Sequence, residues 1–425
     1  MSDLLQSNDE QPADDGKSNN NAEIEKHEER TEDNVSETSS SEIFIRGYEK
    51  RGEGINAYYV YKIETKVSNI PGYTKSHFDV WRRFSDFLGL REKLVAKYQH
   101  KGIIVPLAPE KSISALTKTK LNATNGEEST TSDVADKRSR QLERFVRRIA
   151  CHQRLMTDCD VRDFLSFDGP LPKASFTSSL SGSSMKKMFK SFGDVLSKLA
   201  FPMDENDRWF EQANSQVEEL DEMLIRLNTA IDNLVGVRRE LSSSDDLLSK
   251  ALSMLASCEE NTALARTLSK LAETHENLAI AERHEAEQDS QQLAEPIQEQ
   301  LQLTSVLKEV FYERVKSWQN WQSQQQNLTK KREIKTRLDL AGKSEKAAQY
   351  NEEVKECENK ADQMEKDFLT MSRVIREEYN RYCKNRCEDI KAALVSYLES
   401  LIESEEKVLE YWERLAPEAK GIITG

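Results

Sequence analysis

The amino-acid sequence predicts an α+β domain followed by an all-α domain of very long helices. Three β-branched and aromatic stretches lie between residues 42 and 83, and the second alternates with a period of two at Tyr59, Tyr61 and Ile63, which is typical of β-strands. Residues 204–416 contain one proline, Pro296, and two glycines, Gly236 and Gly342, and helix breakers this sparse predict long helices. Charged residues make up 32% of the chain and aromatic residues 7%, which suits one small domain with exposed helices better than one large globule.

Charge is distributed unevenly along the 425 residues, whose formal net charge is −14. Residues 1–42 carry 13 acidic and 3 basic side chains and no aromatic ring, so we predict that residues 1–41 form a disordered acidic tail. Residues 43–168 carry 23 basic and 16 acidic side chains. A basic domain in an acidic chain indicates an anionic partner for that domain: a phosphate, a lipid headgroup or a nucleic acid.

Several classes of protein are disfavoured by the composition. The sequence has no long apolar run and no N-terminal secretory pattern, so it predicts neither a membrane span nor a signal peptide. The six cysteines are scattered, which favours the reducing cytoplasm over a disulfide framework. Cys383 and Cys387 have no histidine or second cysteine pair near them in sequence, so packing explains them better than a metal site. No catalytic constellation is found, and we expect no enzyme activity, no cofactor and no metal.

The α+β domain is predicted to span residues 42–169. Its strands are joined by short connections, so a three-stranded antiparallel sheet in meander order is expected. Apolar residues recur at helical spacing after the third strand and again before the end of the domain. The predicted strands are 42–51, 57–67 and 77–83, and the predicted helices are 84–98, 133–156 and 160–167.

A linker rich in proline, serine and glycine, residues 170–182, is predicted to follow the α+β domain. Residues 183–201 then form a short basic amphipathic helix, because large apolar side chains share one face and lysines lie mostly off it. This combination is typical of helices that lie in a membrane surface. The residues predicted to insert into the membrane are Met185, Met188, Phe189, Phe192 and Leu196.

Residues 204–425 are predicted to form the helical domain, with three helices at about 204–257, 261–340 and 345–416. Two apolar seams with alternating steps of three and four residues predict coiled-coil-like packing, and dimerisation through these seams is expected. The first seam contains Ala213, Val217, Leu220, Leu224, Leu227, Ile231, Leu234 and Leu241; the second contains Val354, Cys357, Ala361, Met364, Phe368, Met371 and Ile375.

The segment Arg82-Arg83-Phe84 ends the third strand with two cations and a ring. Arginine is suited to bidentate phosphate recognition, and an aromatic ring can stack on a sugar-like ring. Lys111 and Arg138 lie in two other segments, and cations from three segments can converge on one charged headgroup. The alternative is a solvated strand end with Phe84 in the core.

Two further segments have open interpretations. The loop side chains Ile103, Ile104, Val105 and Leu107 either enter a lipid interface or form a buried strand. Near the Gly342 turn, a run of cations either binds anionic lipid or is an ordinary solvated face of the helix. That basic patch contains Lys330, Lys331, Arg332 and Lys335.

Several quoted segments resemble a known family. WRRFSDFLGLREKL, the VP-x-x-PEK loop and DKRSRQLERFVRRI resemble a phox-homology (PX) domain. DRWFEQANSQ, ENTALARTLSKLAE, KSWQNWQSQQQNLTKKRE and YWERLAPEAKGI resemble the BAR domain of a PX-BAR sorting nexin, of the retromer-associated sorting nexin 1/2 type. The resemblance covers residues 42–425. It implies an α+β PX domain followed by a three-helix BAR domain that forms an elongated dimer.

The resemblance implies four ligand residues for phosphatidylinositol 3-phosphate. Arg83 would bind the 3-phosphate, Phe84 would stack on the inositol ring, and Lys111 would contact the 1-phosphate. Arg138 would contact ring hydroxyls, close to any 4- or 5-phosphate, so the 3,5-bisphosphate is a possible ligand; Arg82 is expected to be a structural or an outer contact. The family's loop is often a continuous proline run, whereas this chain has Pro106-Leu107-Ala108-Pro109.

The function implied is that of a peripheral protein on the cytosolic face of early endosomes and their tubules. It would sense or induce curvature on anionic membrane during retrograde sorting to the trans-Golgi network. Its implied partners are a second copy or another PX-BAR sorting nexin, and the retromer cargo-recognition subunits. The alternatives are a coiled-coil phosphoinositide-binding adaptor or tether, and a nucleic-acid-binding protein, which would not explain the amphipathic helix.

Overall fold

A computed structural model describes residues 40–52, 57–109, 129–171, 203, 205 and 207–422. Most of the predicted acidic tail and linker lies outside these residues, as do Lys111 and the whole predicted amphipathic helix with Met185, Met188, Phe189, Phe192 and Leu196. Predictions about those segments therefore stay predictions. Among the helices of the described residues, none is both long enough and apolar enough to cross a bilayer.

Three antiparallel strands form the sheet in the order β1-β2-β3, as the turn pattern predicted. β1 spans Ser40–Arg51, β2 spans Tyr58–Ser68 and β3 spans His77–Arg83. Ile45 pairs with Ile63, and Ile63 with Val80, so apolar residues of neighbouring strands lie side by side on the face that the helices cover. A register shift between Ile45 and Gly47 interrupts the β1–β2 ladder.

Helices cover one face of this sheet. α1 is Phe84–Tyr98, α2 is Ser129–Ala150, α3 is Gln153–Met156 and α4 is Cys159–Ser166. Leu94, Leu142 and Ile149 are fully buried against the strands and complete the core of the α+β domain. The predicted helix 133–156 is two helices, because the backbone at His152 is extended, with φ −99° and ψ 109°.

The helical domain matches the three predicted helices closely. α5 is Arg208–Cys258, α6 is Thr262–Gln288, α7 is Glu295–Leu340 and α8 is Ser344–Lys420. Asn261 begins α6, where its side chain accepts hydrogen bonds from the amides of Ala263 and Leu264 at 3.0 and 3.1 Å. Gly342, at φ +71°, allows the turn between α7 and α8.

A π-helical segment, Asp289–Ala294, joins α6 to α7 inside the predicted helix 261–340. Pro296 follows it at the start of α7. Proline has no amide hydrogen to donate to the carbonyl four residues back, and its ring crowds that carbonyl. The wider turn before Pro296 lets the helix continue without a break.

The two predicted seams pack mostly within one chain. In the second seam Val354, Ala361 and Phe368 are buried, as are Cys357, Met371 and Ile375. The first seam is divided: Ala213, Val217, Leu224 and Ile231 are buried, whereas Leu227, Leu234 and Leu241 are 44%, 37% and 46% exposed. The prediction that both seams face a second copy is therefore wrong for the buried residues, which form the core of the helical domain.

Residues 103–109 join the two domains. Ile103 and Val105 are buried in the core of the α+β domain, whereas Ile104 packs against Phe210 and Ile375 of the helical domain. The burial of Ile103, Ile104 and Val105 is confirmed, but these residues are irregular and not a strand, and their burial leaves them no contact with lipid. Leu107 is half-buried and packs against the same cluster of the helical domain.

Gly102 marks the closest approach of the two domains. It has φ +84°, and a Cβ atom there would lie 2.8 Å from Cγ1 of Ile375 and 3.0 Å from the carbonyl oxygen of Met371. Glycine is the residue that tolerates both the left-handed backbone and the missing space. The backbone of the α+β domain therefore rests directly on α8.

Charged side chains orient this junction. Arg140, Arg144 and Arg148 recur every four residues along one face of α2, and we call them the arginine stripe. Arg140 and Arg144 donate to the buried carboxylate of Glu295 at 2.9 and 2.7 Å, and Arg148 donates to Asp389 at 2.7 Å. Burial alone would raise the pKa of Glu295, but the hydrogen bonds from the two arginines hold it below its ordinary value.

Candidate phosphoinositide site

The two adjacent arginines at the end of β3 have different roles. The side chain of Arg82 is 1% exposed, and its Nε donates to the carbonyl of Phe164 at 2.8 Å. It also donates to the carbonyls of Asp163, Phe167 and Gly169. A cation here complements the C-terminal carbonyls of α4. Arg82 therefore ties β3 to α4, as expected for a structural residue.

Arg83 is the last residue of β3 and immediately precedes α1. Its backbone amide donates to Oδ2 of Asp86 at 2.8 Å, which satisfies the helix start without involving the guanidinium. The guanidinium lies over the ring of Tyr58, with Cζ 5.0 Å from the ring centroid. The N-terminus of α1 adds a partial positive charge beside it.

Phe84 and Arg138 are brought together by the packing of α2 beside α1. Phe84 is half-buried at the first position of α1, and Cζ of Arg138 lies 5.0 Å from the centroid of its ring. Arg138 also lies near the buried side chain of Tyr61. Burial raises the pKa of Tyr61, and the positive charge of Arg138 opposes that rise.

Three of the four predicted ligand residues, Arg83, Phe84 and Arg138, therefore lie at one site. Neither arginine forms an ion pair with any residue that the structure describes. The arginine stripe on the same α2 helix, by contrast, is fully engaged with carboxylates. Two guanidinium groups without carboxylate partners at a helix N-terminus form an arrangement that can bind a phosphorylated ligand.

α8 neutralises two of the four cations of the basic patch near Gly342. Lys331 pairs with Glu353 at 2.9 Å, and Arg332 pairs with Glu358 at 2.6 Å. Nζ of Lys335 donates to Oδ1 of Asn351 at 2.8 Å. Lys330 is exposed and has no carboxylate partner among the described residues. The charge available to a membrane at this tip is smaller than the sequence suggested.

Asp158, Cys159 and Asp160 form the group of potential metal ligands in the described part of the chain. Lys97 already pairs with Asp158 at 3.0 Å, and Lys93 pairs with Asp160 at 2.7 Å. Lysine ammonium groups thus occupy the positions of a cation. The group is better explained as an ion-pair network that joins α1 to α4.

Large apolar side chains are exposed on α5, α6 and the second half of α8, and we call this set the apolar face. Exposed apolar surface of this extent is typical of a protein–protein interface. Sequence reasoning missed most of these residues, although Leu227, Leu234 and Leu241 belong to the first seam. The apolar face contains Leu227, Leu234, Val237, Leu241, Leu247, Met254, Ile280, Leu394, Leu398, Ile402 and Trp412.

Tyr58 and the arginine stripe were also missed. The alternation that identified β2 pointed to Tyr59, Tyr61 and Ile63 and left Tyr58 unassigned. For the stripe, a usable signal was present: cations at steps of four on α2 match Glu295 and Glu299, which are also four residues apart.

Comparisons with known proteins agree with this architecture. The family model "PX domain" matches residues 70–168, and the family model "Vps5 C terminal like" matches residues 185–418, more than half of the chain. Sorting nexin-1 of Mus musculus is 40% identical over 396 residues, which cover 93% of this chain and 75% of that protein. Sorting nexin-2 of Bos taurus is 39% identical over 398 residues, covering 92% and 76%.

A solved structure has the same fold. The cryo-EM structure of the SNX-BAR Mvp1 tetramer aligns with a TM-score of 0.60 at 17% identity, covering 88% of this chain and 99% of that chain. At this identity the likeness shows the fold alone. The α+β domain is thus a PX domain and the helical domain a BAR domain. From its relatives and both family models, this chain belongs to the PX-BAR sorting nexins, a family of non-enzymatic, membrane-binding scaffold proteins.

Proposed function

We propose that this chain binds phosphatidylinositol 3-phosphate on the cytosolic face of early endosomes. As a dimer, it would sense or induce the curvature of tubules during retrograde sorting to the trans-Golgi network. The observation that supports the proposal best is the pair Arg83 and Arg138, which flank Phe84 at the N-terminus of α1 without carboxylate partners among the described residues. A phosphorylated inositol ring supplies both the charge and the flat surface that these groups bind.

Each ligand residue has a separate task in this proposal. Arg83 binds the 3-phosphate and the helix N-terminus supports the same charge. Phe84 stacks on the inositol ring, and Lys111 contacts the 1-phosphate. Arg138 contacts ring hydroxyls, and its position makes the 3,5-bisphosphate an alternative ligand.

Curvature requires more than one contact with the membrane. The apolar face joins two chains, as a homodimer or with another PX-BAR sorting nexin, and the dimer presents two phosphoinositide sites to one surface. The helix predicted at 183–201 inserts Phe189 and Phe192 into the outer leaflet. The affinities of contacts that are weak singly multiply when the contacts are linked in one assembly. Retromer cargo-recognition subunits complete the proposed set of partners.

One observation favours a second candidate, a phosphoinositide-binding tether that does not remodel membrane. Two of the four cations of the tip patch are already paired with carboxylates of α8, which weakens the attraction of the tip to anionic lipid. A tether would bind vesicles without forming tubules from them. It would also be insensitive to charges introduced at Phe189 and Phe192.

Vesicle co-sedimentation tests the lipid half of the proposal. We expect wild type to bind vesicles only when they contain phosphatidylinositol 3-phosphate, and Arg83→Ala to weaken binding roughly 10- to 100-fold because a charged hydrogen bond is lost. Arg154→Ala is the matched control, since Arg154 is an exposed arginine of the same domain. Binding that is indifferent to the lipid and to Arg83 would contradict the proposal.

Electron microscopy of the bound vesicles tests the curvature half. Wild type should form tubules, whereas the double variant Phe189→Glu and Phe192→Glu should bind vesicles without forming them. Vesicles that stay spherical with wild type, despite lipid-dependent binding, would favour the tether.

A further inference from the structure

Tyr58 lies beside the proposed phosphate ligand Arg83 but belongs to a different strand. It begins β2, and its side chain is 41% exposed. In the β2–β3 ladder Val60 pairs with Arg83, so Tyr58 is a diagonal neighbour of Arg83 on the same side of the sheet. Its ring centroid lies 5.0 Å from Cζ of Arg83.

The contact with Tyr58 and the binding of a phosphate can use different parts of the guanidinium. Arginine can stack on an aromatic ring with its flat face. Its N–H donors lie in the guanidinium plane and stay available for bidentate binding of phosphate oxygens. The ring of Tyr58 can therefore hold Arg83 in place while the ligand binds.

Other candidates for holding Arg83 are engaged elsewhere. Asp86 is the nearest acid in sequence, but its carboxylate accepts from the backbone amide of Arg83. Among the described residues, Tyr58 is the group that contacts the guanidinium of Arg83. An arginine side chain held in one conformation before binding loses less conformational freedom when the ligand arrives.

We propose that Tyr58 is a positioning residue for phosphate recognition by Arg83, an inference that rests on the proposed function. It acts through its ring face and has no contact of its own with the phosphate. Its phenol hydroxyl is dispensable, because the attraction comes from the π-electrons. Loss of the ring should weaken headgroup binding about two- to five-fold, the effect of one cation–π contact at a partly exposed site.

The same sheet supplies a matched control. Cζ of Arg51 lies 4.9 Å from the ring of Trp81, which makes a second cation–π pair. Arg51 also pairs with Glu49 at 3.2 Å, so its charge is already matched. Removal of the Trp81 ring deletes a cation–π contact from Arg51, which pairs with Tyr58 in the β1–β2 ladder but is not one of the proposed ligand residues.

The test is isothermal titration of the full chain with a short-chain, water-soluble phosphatidylinositol 3-phosphate, which separates headgroup recognition from membrane contact. We expect Tyr58→Leu to weaken binding about two- to five-fold, Tyr58→Phe to bind as wild type, and Trp81→Leu to have no effect. In an Arg83→Ala background, Tyr58→Leu should cause no further loss, because the group that it positions is gone.

Four outcomes would overturn the inference: wild-type affinity of Tyr58→Leu, equal weakening by Tyr58→Phe, equal weakening by Trp81→Leu, or an added loss in the Arg83→Ala background. If Arg83→Ala weakens binding and Tyr58→Leu does not, this inference alone fails. If Arg83→Ala binds as wild type, the proposed function fails with it. Circular-dichroism melts of each variant identify any that have unfolded.

Discussion

The surface of the helical domain that faces the α+β domain carries carboxylates paired with arginines, whereas α5, α6 and the end of α8 expose large apolar side chains. At the first, Glu295 and Asp389 accept hydrogen bonds from the arginine stripe. At the second, Leu241 and Leu398 are 46% and 51% exposed. One surface is already occupied within the chain, and the other is open.

The two surfaces therefore have different roles. The ion pairs set the orientation of the α+β domain, and the apolar surface supplies affinity for another chain. Buried ion pairs lose hydration on formation, so they add little net stability, but a wrong arrangement leaves charges unpaired. They therefore specify one orientation of the α+β domain. Apolar surface gains free energy in proportion to the area removed from water and tolerates several arrangements. It suits association with a second copy or with a related chain.

The largest effect should follow from removal of both arginines that neutralise Glu295. In the double variant Arg140→Ala and Arg144→Ala a buried carboxylate has no cation, which costs about 3–5 kcal/mol of docking free energy. Hydrogen exchange measured by mass spectrometry should show loss of protection in residues 103–109. Lys137→Ala, an exposed cation on the same helix, is the control. Unchanged protection would mean that apolar contacts alone orient the domain.

A charge on the apolar face should have the next largest effect. Leu398→Asp is expected to weaken dimerisation by about 2–4 kcal/mol, roughly 30- to 1,000-fold in dissociation constant. Analytical ultracentrifugation measures it. Leu340→Asp is the control, because Leu340 is 85% exposed beside the Gly342 turn, outside the apolar face. Dimers of equal strength in both variants would place the interface elsewhere.

A third prediction uses pH to sharpen the comparison. Because the pKa of Glu295 is lowered in the folded chain, its contribution is present above the ordinary glutamate pKa of about 4.3. The contribution should disappear as the pH falls below that value and through the lowered pKa. The difference in free energy of unfolding between wild type and Glu295→Gln should therefore shrink from pH 6 to pH 3.5. A constant difference would show that folding does not lower the pKa of Glu295.

The smallest predicted effect is that of salt. Arg140 and Arg144 are partly exposed, so 0.5 M NaCl should weaken docking by less than about 1 kcal/mol. Dimerisation through the apolar face should be unchanged or slightly stronger. Hydrogen exchange and ultracentrifugation on the same samples compare the two surfaces directly. A dimer that dissociates in salt would show that charge also contributes to that interface.

Local sequence patterns predicted the helices and strands, but they did not predict which surfaces pack against each other. Heptad spacing identified the seam of α5, yet it could not separate Leu224, which is buried within the chain, from Leu227, which is 44% exposed. Both residues satisfy the same apolar period, and the occupant of a face is a long-range property. The three helices were predicted closely because proline and glycine act locally.

The predictions of a strand or a lipid contact for the loop at 103–109 were wrong for a related reason. Ile103, Ile104 and Val105 are consecutive apolar residues, as in a buried strand, but they are buried in two different cores, one in each domain. In the candidate site, Arg83 and Phe84 were identifiable from residue type and resemblance. The resemblance had separated Arg82 from Arg83, but the partners of Arg82 could not be predicted, because they are carbonyls of α4 more than 80 residues away in sequence.

Gly102 limits how this protein could be rebuilt. A PX domain grafted from another protein would meet the carbonyl of Met371 with whatever side chain stood at this position. A neighbouring side chain can rotate away, but a helix backbone cannot yield without a shift of α8 as a whole. The two domains can therefore be exchanged as a matched pair and not as independent modules, and a chimaera would have to keep a glycine here.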